Sequence, residues 1–191
     1  KTSGRVFESY PVRYWDHLYG PTHPHVAVAK ADGSGARDLC TGLARGLEET
    51  ELEVSPDGRL ACSGFNTVDS ELRFDGQLVT WDVASGERRV LTKGPAQHFA
   101  PRWSPDGKRI ACLTQRTMPR VTGKVDIAIV DAATGTSRIV TSHLDVTPTR
   151  PLWADATTLL FSCDELGHHV LRVVDIETGA SRALTTRGRC T

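Results

Sequence analysis

The chain has 191 residues, and its 23 Lys plus Arg balance 23 Asp plus Glu, so the formal net charge is zero. That balance removes the electrostatic case for nucleic acid or an anionic membrane surface as partner, and no apolar run approaches the ~20 residues of a membrane-spanning helix. No secretory signal is visible, and the five cysteines are odd in number with no Cys-x-x-Cys pair, which points away from a disulfide framework and toward a cytoplasmic compartment.

In chain order, the first readable element is a strand, Val26-Ala27-Val28-Ala29. It leads to a turn at Asp32-Gly33-Ser34-Gly35 and a second strand ending near Leu39-Cys40-Thr41. A four-residue turn follows and recurs 49 positions later: Ser55-Pro56-Asp57-Gly58 and Ser104-Pro105-Asp106-Gly107. Ser at i, Pro at i+1 and Gly at i+3 suit a type I turn. Short β-type runs come next, Leu60-Ala61-Cys62 and Ile110-Ala111-Cys112, the second with one extra residue after its Gly.

Third strands then end in Asp82, Asp131 and Asp175, and hairpin turns close on Gly86, Gly135 and Gly179. Asp bonds its own backbone there and Gly accepts positive φ. Fourth strands end at Thr92, Thr141 and Thr185. The third repeat lacks the Ser-Pro-Asp-Gly turn and reads Trp153-Ala154-Asp155-Ala156-Thr157, its Trp aligned with Trp103.

Self-similarity at 44 to 49 residues is the mark of a repeat architecture. Four short strands per repeat form an antiparallel blade, the unit of a β-propeller. The third strands are apolar on both faces, as a blade sandwiched between blades requires and a half-exposed sheet does not. The expected fold is therefore all-β, an incomplete propeller of about three and a half blades. Residues 1–47 form a partial blade, and 48–94, 95–143 and 144–187 form whole ones. Closed rings have about four to eight blades, so the chain reads as a piece of a larger ring.

No residue pattern specifies catalysis. A hydrolase elbow needs Gly-x-Ser-x-Gly, which is absent; Ser34 reads as a turn residue. His23-Pro24-His25 and His168-His169 raise a metal, but adjacent strand residues point oppositely, so they read as loop and strand histidines. His98 precedes an inner strand and could face a central channel. Glu48-Glu49 could take a peptide amino group, although a solvated loop is the simpler account. Asp57, Asp82, Asp106 and Asp131 are turn-formers. Cys62 and Cys112 read as small buried apolar residues at matching strand positions. Two long insertions, Phe65 to Gly76 and Gln115 to Lys124, are candidate binding loops; the second is basic through Arg116, Arg120 and Lys124 and also carries Met118. No catalytic, cofactor-binding or metal residue is assigned, and no cofactor is expected.

The string Trp103-Ser104-Pro105-Asp106-Gly107-Lys108 resembles TolB-type repeats, which also occur in the propellers of the prolyl oligopeptidase family of serine peptidases. Leu78-Val79-Thr80-Trp81-Asp82 is similar to a WD-repeat strand, without the Gly-His opening. Val12-Arg13-Tyr14-Trp15-Asp16-His17-Leu18 with His23-Pro24-His25-Val26-Ala27-Val28 resembles the acylaminoacyl-peptidase and dipeptidyl-peptidase branch. The resemblance implies a C-terminal α/β-hydrolase domain of the same polypeptide, carrying the catalytic Ser, Asp and His and lying outside this chain. It implies a propeller that gates the access of short peptides to that domain. Oligomerisation is compatible with it. Arg13, Trp15 and Asp16 are expected to be a structural cluster. The alternative is a TolB-like scaffold for protein–protein binding, without catalysis and periplasmic; a WD-repeat-like hub ranks below both.

Overall fold

The computed structural model describes residues 13–14, 17–18, 25–40, 51–66, 76–117 and 122–185. Among them every regular element is a strand. Two-stranded sheets form from β1 (Arg13–Tyr14) with β2 (His17–Leu18), and from β3 (Ala27–Val28) with β4 (Arg37–Asp38). Three four-stranded sheets follow. Blade 1 comprises β5 (Leu52–Val54), β6 (Leu60–Asn66), β7 (Gly76–Asp82) and β8 (Arg88–Val90). Blade 2 comprises β9 (Ala96–Trp103), β10 (Arg109–Thr117), β11 (Thr122–Asp131) and β12 (Ser137–Ile139). Blade 3 comprises β13 (Pro148–Trp153), β14 (Thr158–Glu165), β15 (His168–Asp175) and β16 (Ser181–Ala183). Each sheet is an antiparallel meander in sequence order, so the chain is an incomplete β-propeller.

The turns form as their residues dictate. In the first Ser-Pro-Asp-Gly turn, Ser55 Oγ donates to Asp57 Oδ1 at 2.6 Å and accepts the Leu60 N–H at 2.9 Å. Ser104 repeats both bonds, to Asp106 and from Arg109, at the same distances. In blade 3 Asp155 alone takes over, accepting from the Thr157 and Thr158 N–H groups. The repeated threonines close the other end of each third strand. Leu78 N–H donates to Thr92 Oγ1, Ile127 N–H to Thr141 Oγ1 and Leu171 N–H to Thr185 Oγ1, at 2.9 to 3.0 Å. In the partial blade Cys40 Sγ fills that place, 3.4 Å from the Val26 N–H.

The core lies between blades. Leu91 of blade 1 packs with Trp103, Ile110 and Val130 of blade 2, and Leu113, Ile127 and Ile129 pack with Leu159, Phe161 and Val174 of blade 3. β7 and β11 are buried on both faces, as their apolar pattern requires.

The register corrects one expectation. Leu60 pairs with Asp82 and Arg109 with Asp131. The two Asp residues therefore set Leu60 against Arg109, and Cys62 matches Ala111, not Cys112. There is no extra residue in the second repeat. Because a one-residue slip changes the face, Cys62 and Cys112 point to opposite faces of their own blades and join the same buried cluster between blades 1 and 2. Burial pushes both thiols well above their ordinary range. The two long insertions are also partly strand: β6 runs to Asn66, β10 to Thr117, and β11 begins at Thr122.

Candidate functional site

A meander puts alternate turns at opposite ends of a blade. One face of the array therefore carries the turns after the first and third strands, all built on Asp. The opposite face carries the tips of the second-to-third-strand hairpins and the linkers between blades.

On the Asp-turn face the carboxylates serve their own backbone. Asp82 accepts from Ala84 and Ser85 N–H, Asp131 from Ala133 and Thr134 N–H, and Asp175 from Glu177 and Thr178 N–H. Those backbone bonds hold all three carboxyls below the ordinary carboxylate value. Asp57 and Asp106 are lowered chiefly by the serine hydroxyl in their turns. Such groups are committed anions without a proton to exchange near neutrality. Arg109 ties this face together: it donates to the Ala156 carbonyl at 2.6 Å and pairs with Glu177 at 2.9 Å, its guanidinium 5.7 Å from the Trp153 ring centre.

The opposite face holds a cleft of about 340 Å³ between blades 2 and 3, lined by Lys124, Asp145, Val146, Thr149, Asp164 and His169 among others. Lys124 is its anchor. Its ammonium pairs with Asp126 at 2.9 Å and donates to the carbonyls of Thr141 and Leu144, which fixes the linker from blade 2 to blade 3. Across the cleft, His169 Nδ1 lies 2.9 Å from Asp164 Oδ1, both on exposed side chains. The β14–β15 hairpin that carries them turns on Leu166 (φ 51°) and Gly167 (φ 78°). Two positive φ values are the signature of a type I′ turn. Leu166 is a strained choice there and is 94% exposed. With an anchored cation, two further carboxylates and an imidazole, the cleft can hydrogen-bond a polar ligand. It holds no activated nucleophile.

The residues singled out from the sequence disperse. His98, on β9, is 4% exposed, and burial holds its imidazole below the ordinary histidine range; it is packed away from solvent and its Nδ1 has no hydrogen-bond partner. His25 pairs with Asp38 at 2.6 Å, on the partial blade and apart from His169. Ser34 sits in a turn, its N–H bonded to Asp32. Among the described residues no group of three or more His, Cys, Asp or Glu converges on a point. Arg116 is exposed on β10. His23, Glu48, Glu49, Met118, Arg120, Trp15 and Asp16 lie outside the described residues, as does most of the Phe65–Gly76 insertion. Sequence reasoning missed Asp145 and Asp164. The signal for the second was an acidic residue five positions before His169, spanning a two-residue turn.

No protein-family model matches the chain. Dipeptidyl-peptidase 5 of Porphyromonas gingivalis is 24% identical over 97% of this chain, which spans 29% of that protein. A TolB-like protein of Agrobacterium tumefaciens superposes with a TM-score of 0.61 at 19% identity, over 84% of this chain and 56% of its own. A puromycin-hydrolyzing peptidase of Mycobacterium tuberculosis gives 0.57 at 21% identity, over 80% of this chain and 26% of its own. The chain is thus similar in fold to TolB propellers and to the propellers of prolyl oligopeptidase-type peptidases.

Proposed function

We propose that the chain is the non-catalytic propeller portion of a serine peptidase that cleaves short peptides. In this reading an α/β-hydrolase domain of the same polypeptide performs the acyl transfer. The propeller excludes long chains and positions short ones, and positioning carries rate because misplaced substrate reacts slowly. The observation that carries the reading is the end-to-end match to a dipeptidyl-peptidase, which covers nearly all of this chain and under a third of that protein. The hairpin-and-linker face supports it, since its carboxylates and imidazole are not consumed by turns. A cytoplasmic location goes with the proposal.

A length series tests it. In the complete gene product, the Phe65–Gly76 segment that joins β6 to β7 is replaced by a two-residue turn. The expected outcome is cleavage of longer peptides that the parent rejects. Unchanged length selectivity would remove the gating role. The second reading, a TolB-like periplasmic scaffold for protein partners, draws on the Agrobacterium superposition. A gene product without a hydrolase domain would favour it.

A further inference from the structure

Three interfaces between successive blades repeat one contact. A fourth-strand arginine, three residues before the capping Thr or Cys, donates to a backbone carbonyl in the outer turn of the next blade. Arg37 reaches Val83 O at 2.6 Å, Arg89 reaches Ala133 O at 2.6 Å, and Arg138 reaches Ile176 O at 2.5 Å. The aliphatic residue two positions on is covered at the same time. Leu39, Leu91 and Val140 are 8%, 5% and 5% exposed, and the turn glycines Gly86 and Gly135 lie against the first two.

Blade 3 carries the same pair, Arg182 and Leu184, without the cover. Leu184 is 40% exposed, and Arg182 is exposed, its guanidinium making no hydrogen bond among the described residues. The rest of that face agrees. β10 is buried on both faces from Ile110 to Leu113, whereas β14 alternates: Leu159, Phe161 and Cys163 are buried and Leu160 is not. Leu152, opposite Leu160 on β13, is 52% exposed.

We propose that this face seats a fourth four-stranded blade, continuous with the polypeptide beyond Thr191. Its outer turn would offer a carbonyl to Arg182 and a glycine to Leu184. Continuity with three existing interfaces carries the assignment. A second copy is the poorer occupant. Its partial blade presents two two-residue strands among the described residues, and its outer turn has Lys30 where the others have Asp. That is too little sheet to cover Leu152 and Leu184 together. The proposal holds under either functional reading.

Hydroxyl-radical footprinting tests it on unaltered protein. The 191-residue chain and the complete gene product are oxidised side by side and read by peptide mass at Leu152, Leu184 and Val140. The expected result is several-fold less oxidation of Leu152 and Leu184 in the complete product, with Val140 low in both. Equal oxidation of Leu184 in the two samples overturns the proposal, as does a gene product that ends at Thr191. Protection already present in the 191-residue chain, with a dimer mass by light scattering, overturns it in favour of a second copy. Arg182→Ala is expected to lower the melting temperature of the complete product and leave that of the 191-residue chain unchanged; an equal drop in both also overturns it.

Discussion

The two faces of the blade array use the same residue types for different ends. On the Asp-turn face, Asp131 is saturated by two N–H groups and the Thr134 hydroxyl within its own turn. On the hairpin-and-linker face, Asp164 has one partner, His169, and is largely exposed. Repeated carboxylates build architecture, whereas those that break the repeat are free for binding. The repeat reaches the second face only through Thr92, Thr141 and Thr185, which cap strands there.

The comparison is broken most sharply at Gly135. It has φ 78°, and an added Cβ would lie 1.9 Å from the Leu91 carbonyl oxygen of the neighbouring blade. Gly135→Ala combines left-handed strain with a backbone clash between blades and should cost about 3 kcal/mol. Gly58→Ala meets nothing within 4 Å and should cost only about 1 kcal/mol, the strain alone. Urea unfolding of both variants measures the difference.

Next in size is the capping threonine. Thr141 is fully buried and serves both Ile127 N–H and Asp126. Thr141→Val keeps the volume and leaves both groups short of a partner, at a cost of about 2 kcal/mol.

The third contrast is between Asp131 and Asp164. Asp131→Ala should lower the melting temperature and Asp164→Ala should not. Acid titration sharpens it. The turn carboxyls are held below their ordinary 3.8 by hydrogen bonds, so the stability they supply is complete above that value and is lost as pH falls through their lower folded values. His98, lowered from 6.5 by burial, adds an earlier loss that begins below 6.5 by the same sign. Stability against pH should therefore fall in two stages, and His98→Phe should remove the first.

The smallest effect is a gain. Leu166→Asn suits a type I′ turn and should stabilise by about 0.5–1 kcal/mol. Under the proposed function it also removes an exposed apolar tip beside the cleft.

Local chemistry made most of the fold legible. Pro56 and Gly58, Asp131 and Gly135, and the two-faced apolar strand Ile127–Val130 each state their conformation within a few residues. The register of Cys112 was not legible, because it is set by Asp131 across the sheet and not by the preceding turn. The cleft was not legible either. Lys124, Asp145 and His169 come from a hairpin, a linker and a later hairpin, and only the stacking of two blades brings them together. Asp145 sits in a linker without pattern, so no periodicity marks it.

The measurement that bears most directly on the central claim is the intact mass of the complete gene product before and after a fluorophosphonate probe. The account predicts a mass well beyond this chain, with a gain of one probe adduct outside residues 1–191. A mass near that of a lone propeller, with no adduct, would contradict it.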